Sequence, residues 1–266
     1  MDNEHEPSHD KGPIQLLGIR TPIIRPGNDM VKILVESLKE QKIQLQNGDV
    51  IVLAESAVAT AEGRVVCLAD IEPTAEAYDL AQRYQLGPRE MQLIIEECDE
   101  IVGGVPGAAL TITRGTLSPN AGIDSSNAPD GCVVLLPKDP QKSAAFIREG
   151  LEKACSCHIG VIIGDSRTQP LRLGCVGIAL GTSGLEPVED ARGTLDLFGR
   201  ELKITRKAVA DNMASTAQLM MGEAGEGIPA VIIRGAPVKV IEGSIAMPLF
   251  SREECMYYSN ISRDRK

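Results

Sequence analysis

Tryptophan is missing from this 266-residue chain, and aromatics amount to only 3%. Its core must be built from aliphatic side chains, and recognition of nucleic-acid bases by aromatic stacking is disfavoured. Histidine is nearly as scarce. Of His5, His9 and His158, two sit in a polar N-terminal stretch, which leaves little room for a histidine-based catalytic triad. Basic residues are in deficit, 27 against 37 acidic, for a formal net charge of -10. A nucleic-acid binder draws its affinity from clustered Lys and Arg, so that class is disfavoured, and a nucleotide ligand would need bound cations to reverse the local field. No apolar run reaches the roughly 20 residues of a membrane span, and no basic-then-apolar leader opens the chain, so a cytoplasmic protein is expected. The seven cysteines, Cys67, Cys98, Cys132, Cys155, Cys157, Cys175 and Cys255, are odd in number and lack framework spacing, which suits a reducing compartment. Cys155-Ser-Cys157-His158 could form half of a zinc site, but it lacks a second pair, and reduced thiols at a helix-to-strand junction are the plainer reading.

What is present is an alternation of short apolar runs and amphipathic segments. Residues 1–12 are polar and read as a disordered tail, residues 13–243 as one catalytic unit, and residues 244–266 as a C-terminal extension. In the extension, Ile245, Met247, Leu249 and Phe250 could pack on the body or on a second subunit. Strands are expected at 15–19, 49–54, 109–113, 132–136, 159–163, 176–180, 201–205 and 230–234. Helices are expected at 29–41, 74–84 with Thr74 as cap, 89–98, 143–154 after the Asp139-Pro140 start, and 209–221. The spacing is too irregular for a doubly wound sheet. It points to an α+β fold with a mixed sheet, and a bilobed form is open.

Three acidic residues fall in small-residue loops that follow regular elements. Asp124 lies in Ser118-Pro-Asn-Ala-Gly-Ile-Asp124-Ser-Ser-Asn127, and Asp165 ends the run Gly160-Val-Ile-Ile-Gly-Asp165-Ser166. Glu223 lies in the glycine-rich loop Met221-Gly-Glu-Ala-Gly-Glu-Gly-Ile-Pro229. With Ser166 as a neutral oxygen ligand, they could hold Mg2+ or Mn2+ for phosphoryl transfer, which relies on cations bridging phosphate oxygens. The plain alternative is that each acidic residue caps a turn. The glycine loop could cradle a phosphate through backbone N–H groups, although it is neither a Walker A nor a dinucleotide fingerprint. An acidic protein with an anionic substrate needs counter-charge, and Arg25, Arg64, Arg167, Arg172 and Arg200 are candidates. Arg172 and Arg200, fixed among glycines, are the preferred catalytic pair.

Together these loops resemble the coenzyme F420-0:L-glutamate ligase family over about residues 14–236. The resemblance is carried by Asn120-Ala-Gly-Ile-Asp124-Ser-Ser-Asn127, Ala61-Glu-Gly-Arg64, Asp196-Leu-Phe-Gly-Arg200-Glu-Leu, Val209-Ala-Asp211 and Met221-Gly-Glu223-Ala-Gly-Glu226-Gly-Ile-Pro-Ala-Val231. It implies a GTP-dependent amide ligase that joins L-glutamate to a deazaflavin acid through an acyl phosphate. It implies two divalent cations, Mn2+ or Mg2+, with K+ as a candidate monovalent ion, and an intertwined homodimer. By position, Asp124, Asp165, Ser166 and Glu223 become metal ligands. Pro22, Ile23, Ile24, Arg25, Glu55, Ser56, Asn127, Met221, Gly222, Ala224, Gly225, Glu226, Gly227 and Ile228 would lie along the nucleotide. Two positions depart from the family pattern: Thr60 stands where a nucleotide-contacting lysine is usual, and Gln169 where an arginine is usual. A changed acid or amino acid, a non-catalytic nucleotide- or metal-binding homologue and a metal-dependent phosphohydrolase are the alternatives.

Overall fold

A computed structural model describes residues 12–261. The chain runs β1 (Gln15–Ile19), α1 (Met30–Glu40), β2 (Val50–Ala54), α2 (Glu55–Ala61), β3 (Val65–Cys67), α3 (Ala75–Tyr84), α4 (Pro88–Glu97), β4 (Glu100–Val105), β5 (Ala108–Thr113), β6 (Thr116–Pro119) and β7 (Cys132–Val134). It continues through α5 (Pro140–Cys155), β8 (Gly160–Thr168), β9 (Cys175–Ser183), β10 (Glu189–Asp190), β11 (Arg206–Lys207), α6 (Val209–Met221), β12 (Ala230–Arg234) and α7 (Met256–Ile261). The main sheet has the order β1-β12-β2-β8-β9. Only β2 and β8 run parallel in it, so the sheet is mixed and the fold α+β.

Burial on both faces explains why its central strands read as unbroken apolar runs. Ile51, Leu53, Val161, Ile163 and Ile232 point to one face, where Leu34 and Leu38 of α1 and Ile147 and Leu151 of α5 cover them. Val50, Val52, Ile162, Val231 and Ile233 point to the other, under Ala210, Met213, Ala214 and Ala217 of α6. Helix α6 comes close because small residues face it. The hydroxyl of Ser215 donates to the Gly177 carbonyl at 2.9 Å, and a Cβ at Gly177 would run into the backbone of Ala214. A separate sheet, β4-β5-β6, packs with α3 and α4 around Ala77, Tyr84, Met91 and Ile94.

The helix starts follow capping chemistry. Asp29, Thr74 and Asp139 accept from the N–H groups of Lys32, Ala77 and Lys142, and Pro140 opens α5. The strand expected at 201–205 is absent. That stretch belongs to an exposed excursion between β10 and β11, with no buried face to set a register, and Ile204 is 84% exposed. The expectation of reduced thiols fails at one pair: Cys67 and Cys132 are register partners on β3 and β7 and form a disulfide. At the Cys155-Ser-Cys157-His158 stretch, Ser156 caps α5 in left-handed backbone, Cys157 is buried and His158 is exposed. The polar stretch with His5 and His9 lies outside the described residues. In the extension, the Gly243 carbonyl accepts from Gly184 N–H at 2.8 Å, Met247 packs under the main sheet, and Arg252 pairs with Glu100 at 2.6 Å. It thus lies against its own chain, while Leu249 and Phe250 remain exposed.

Candidate active site at one edge of the main sheet

Strand directions bring the acidic loops together. Because β2 and β8 are parallel, with Ala54 opposite Gly164, the carboxyl end of β2 lies beside the point from which β8 runs on with β9 alone, at the side of the sheet where ligands gather in open sheets. The next residues are Glu55, which begins α2, and Asp165. Strand β12 is antiparallel to β2, so the glycine loop that enters it arrives at the same edge. Strand β1, antiparallel to β12, delivers residues 21–24 there. The result is a cleft of ≈ 630 Å3 lined by all four segments.

The small sheet closes the other side. After β6 the chain turns through Asn120 and Ala121 in left-handed backbone, at φ 47° and 57°. This conformation is costly for alanine, and it is held by hydrogen bonds from Ala109 N–H to Asn120 Oδ1 (2.8 Å) and from Ala121 N–H to Thr111 Oγ1 (3.2 Å). Asp124 then pairs with Val134 of β7 through bonds of 2.9 and 2.7 Å, which fixes its backbone at the cleft wall. Its Oδ1 accepts from Ser126 N–H at 2.8 Å. Asn127 reaches across to donate to the Ala224 carbonyl at 3.2 Å and so joins this wall to the glycine loop.

Three carboxyls feel one another here. Burial pushes Glu55 well above the ordinary carboxylate range, and the charges of Asp165 and Asp124 push it further, against hydrogen bonds from the backbone of Ser56 and Glu55. Burial also raises Asp165, and Asp124 adds to this, while the Arg167 guanidinium, 2.7 Å away, opposes it. Glu55 thus lines the cleft within the field of Asp165 and Asp124, a neighbourhood that its expected place along the nucleotide does not by itself imply. Glu223 lines the same cleft, but its carboxylate is turned to the amide of Gln218. Among the described residues no three His, Cys, Asp or Glu side chains form a ready-made cation cage.

The cleft gathers most of the expected residues. Pro22, Ile23, Ile24, Glu55, Ser56, Thr60, Asp124, Asn127, Asp165, Ser166, Met221, Gly222, Glu223, Ala224, Gly225, Gly227 and Ile228 all line it. Four others do not. Arg25 is exposed, with its N–H on Asn28. Glu226 folds back inside the loop, where its carboxylate accepts from Ala224 N–H at 2.9 Å. That carboxylate occupies a place a phosphate oxygen could take. Arg172 lies on the exposed turn between β8 and β9. Arg200 pairs with Asp196 at 2.9 Å and sits over the Phe198 ring at 5.3 Å. Arg64 is engaged elsewhere, with Glu97 at 2.6 Å and the Leu136 carbonyl at 3.1 Å. Ser118, which the sequence reading passed over, also lines the cleft, and its hydroxyl is buried without a partner.

The family model described as F420-0:Gamma-glutamyl ligase matches residues 18–235. The chain is 42% identical over 226 residues to the coenzyme F420:L-glutamate ligase of Methanothermobacter thermautotrophicus, covering 84% of this chain and 90% of that protein. The protein of the same name from Methanopyrus kandleri is 44% identical over 213 residues, with 80% and 82% covered. That from Archaeoglobus fulgidus is 36% identical over 233 residues, with 88% and 91% covered.

Proposed function

The chain belongs to the F420-0:gamma-glutamyl ligase family, whose enzymes form amides, and from that premise we infer that it joins L-glutamate to the deazaflavin acid F420-0 with GTP as co-substrate. The observation that carries this reading is the convergence of Asp124, Asp165 and a glycine-rich loop on one sheet edge. An uncatalysed carboxylate does not react with an amine, and phosphorylation turns its oxygen into a leaving group. The terminal carboxylate of the acid attacks the γ-phosphorus of GTP and releases GDP. The glutamate amine then attacks the resulting acyl phosphate, with loss of inorganic phosphate and a proton.

The residues present fit divalent cations. Asp124, Asp165 and Ser166 offer hard oxygens, and two carboxylates close enough to repel gain from a shared positive charge. The buried hydroxyl of Ser118 needs a partner that a ligand oxygen or a water would supply. Because no third acidic ligand is already in place, Glu223 would have to leave Gln218, or water and phosphate oxygens would complete the shell. Mg2+ commonly keeps several waters in this way. Such a cation neutralises phosphate charge. The chain's own part is positional: residues 21–24 and Ser56 flank the nucleotide, and N–H groups of the glycine loop meet its phosphates once Glu226 yields. Asn127 keeps that loop against the Asp124 wall.

The reading includes a cytoplasmic homodimer in which Arg172 and Arg200 serve a neighbouring subunit's cleft. A second reading, the same chemistry on a different acid, is favoured by Thr60, a neutral side chain lining the cleft where a charge contact is usual. The test is incubation with GTP, Mn2+, L-glutamate and F420-0, following product mass and GDP together. Product gaining one glutamate per GDP is expected. GDP without product, or neither, overturns the reading.

A further inference from the structure

Arg167 is buried in the cleft wall, 5% exposed, where β8 has run past the end of β2 and pairs with β9 alone. Its guanidinium works in two directions. Nε donates to Asp165 Oδ2 at 2.7 Å. Nη1 donates to Thr116 Oγ1 at 2.8 Å and to the Leu117 carbonyl at 3.2 Å. Thr116 and Leu117 belong to β6, the strand that leads through Asn120–Gly122 to Asp124. Burying an arginine is costly unless it is paired, and a positive charge beside a cation ligand works against cation binding. A planar fork can, however, fix one carboxylate relative to a second element, which a flexible ammonium does poorly.

We propose that Arg167 is a positioning residue: it holds the Asp165 carboxylate of the main sheet at a set spacing from Asp124, on the small-sheet side, so that one divalent cation meets both. This rests on the cation reading above. Charge and position give opposite signs, which makes the two separable. On charge alone, removing Arg167 tightens cation binding; on position, removal weakens it.

The experiment titrates Mn2+ into the nucleotide-free full chain and follows the signal of free aqueous Mn2+ by electron paramagnetic resonance. Wild type, Arg167→Met, Arg167→Lys, Thr116→Val and Asp124→Ala are compared, with circular dichroism and melting to check the fold. Arg167→Met should weaken Mn2+ binding by about 10- to 100-fold, as loss of an orienting partner does. Arg167→Lys should recover little, because one ammonium cannot serve Asp165 and β6 together. Thr116→Val, which keeps the charge, should weaken binding in the same direction by a smaller factor. Equal or tighter binding in folded Arg167→Met, or full recovery in Arg167→Lys, overturns the proposal. If Arg167→Met does not fold, Thr116→Val decides, and unchanged affinity there overturns it. Mn2+ binding that is lost in Asp124→Ala but unaltered in Arg167→Met overturns the positioning role alone. A wild type that binds no Mn2+ overturns the cation reading and this proposal with it.

Discussion

Glu55 begins α2 beside the point where β8 leaves β2, and burial with the charges of Asp165 and Asp124 raises its pKa. A carboxyl whose pKa is higher in the folded state than in the unfolded one holds its proton more tightly when native. Its penalty is fully present above the folded pKa and disappears below the unfolded value, so stability falls as pH rises between them. Melting of the cation-free protein should therefore rise on going from about pH 8 to about pH 5, with each tenfold difference in proton affinity worth about 1.4 kcal/mol. Glu55→Gln should flatten that rise and stabilise the alkaline end, and identical melting profiles for the two proteins would remove Glu55 from this role. Thr60 carries a second prediction. It lines the cleft with a neutral side chain, so Thr60→Lys should add one charge-assisted contact and tighten GTP binding by about 10- to 100-fold at low salt. Calorimetry with no gain would mean that GTP phosphates do not pass this position. Asp124 and Glu223 were legible as cleft residues because each follows a regular element in a small-residue loop, whereas Asp165, expected in a loop after its apolar run, lies inside β8, which pairs with β9 as far as Thr168. The place of Glu55 beside Asp165 was not legible, since it depends on parallel register between β2 and β8, which are far apart in the chain. The burial of Arg167 was equally hidden, because its partners on β6 are found only once the small sheet has closed on the main one.

Elements with a clear period or a cap were readable from the sequence. Helices α1, α3 and α4 start or end within a residue or so of the expected bounds, and α6 matches them. Helix α2 was missed, since seven residues holding Val58 and Thr60 make too short and too β-branched a run to show a helical period. Strand β4 was missed for its two glycines, Gly103 and Gly104, which weaken any strand signal. Packing of α6 on β9 gives the test at this scale. The space over Gly177 is filled by the backbone of Ala214 and Ser215, which no side-chain rotation can relieve. Gly177→Ala should cost about 1–3 kcal/mol in urea unfolding. It should also weaken nucleotide binding, because α6 ends directly in the glycine loop at Gly222. A variant with wild-type stability would show that α6 is free to shift on the sheet, and the loop would then not be set by this contact.

At the scale of the whole molecule, two exposed segments carry apolar side chains next to an arginine expected at the site. The turn between β8 and β9 carries Leu171 and Leu173, fully exposed, and the excursion between β10 and β11 carries Leu197 and Phe198, 94% and 82% exposed. Arg172 lies in the first and Arg200 in the second, and neither reaches the cleft of its own chain. Apolar segments of this kind are characteristic of interfaces, and an obligate one buries more than roughly 2,000 Å2 in total. If they lie in a two-fold interface, each arginine can serve the partner's acidic cleft, and the site is complete only in the dimer. Light scattering should then give twice the chain mass at micromolar concentration. Subunit mixing supplies the stronger test. Arg172→Ala and Asp124→Ala should each be inactive alone. Unfolded together and refolded at equal amounts, they should recover about a quarter of the wild-type rate, because half of randomly paired dimers are mixed and each mixed dimer carries one intact site. An arginine acting within its own subunit would leave every site in the mixture defective. No recovered activity from a mixture that has formed mixed dimers would therefore assign Arg172 to its own chain, an Arg172→Ala protein active by itself would give Arg172 no catalytic part, and a monomeric mass in an active sample would dispose of the shared site altogether.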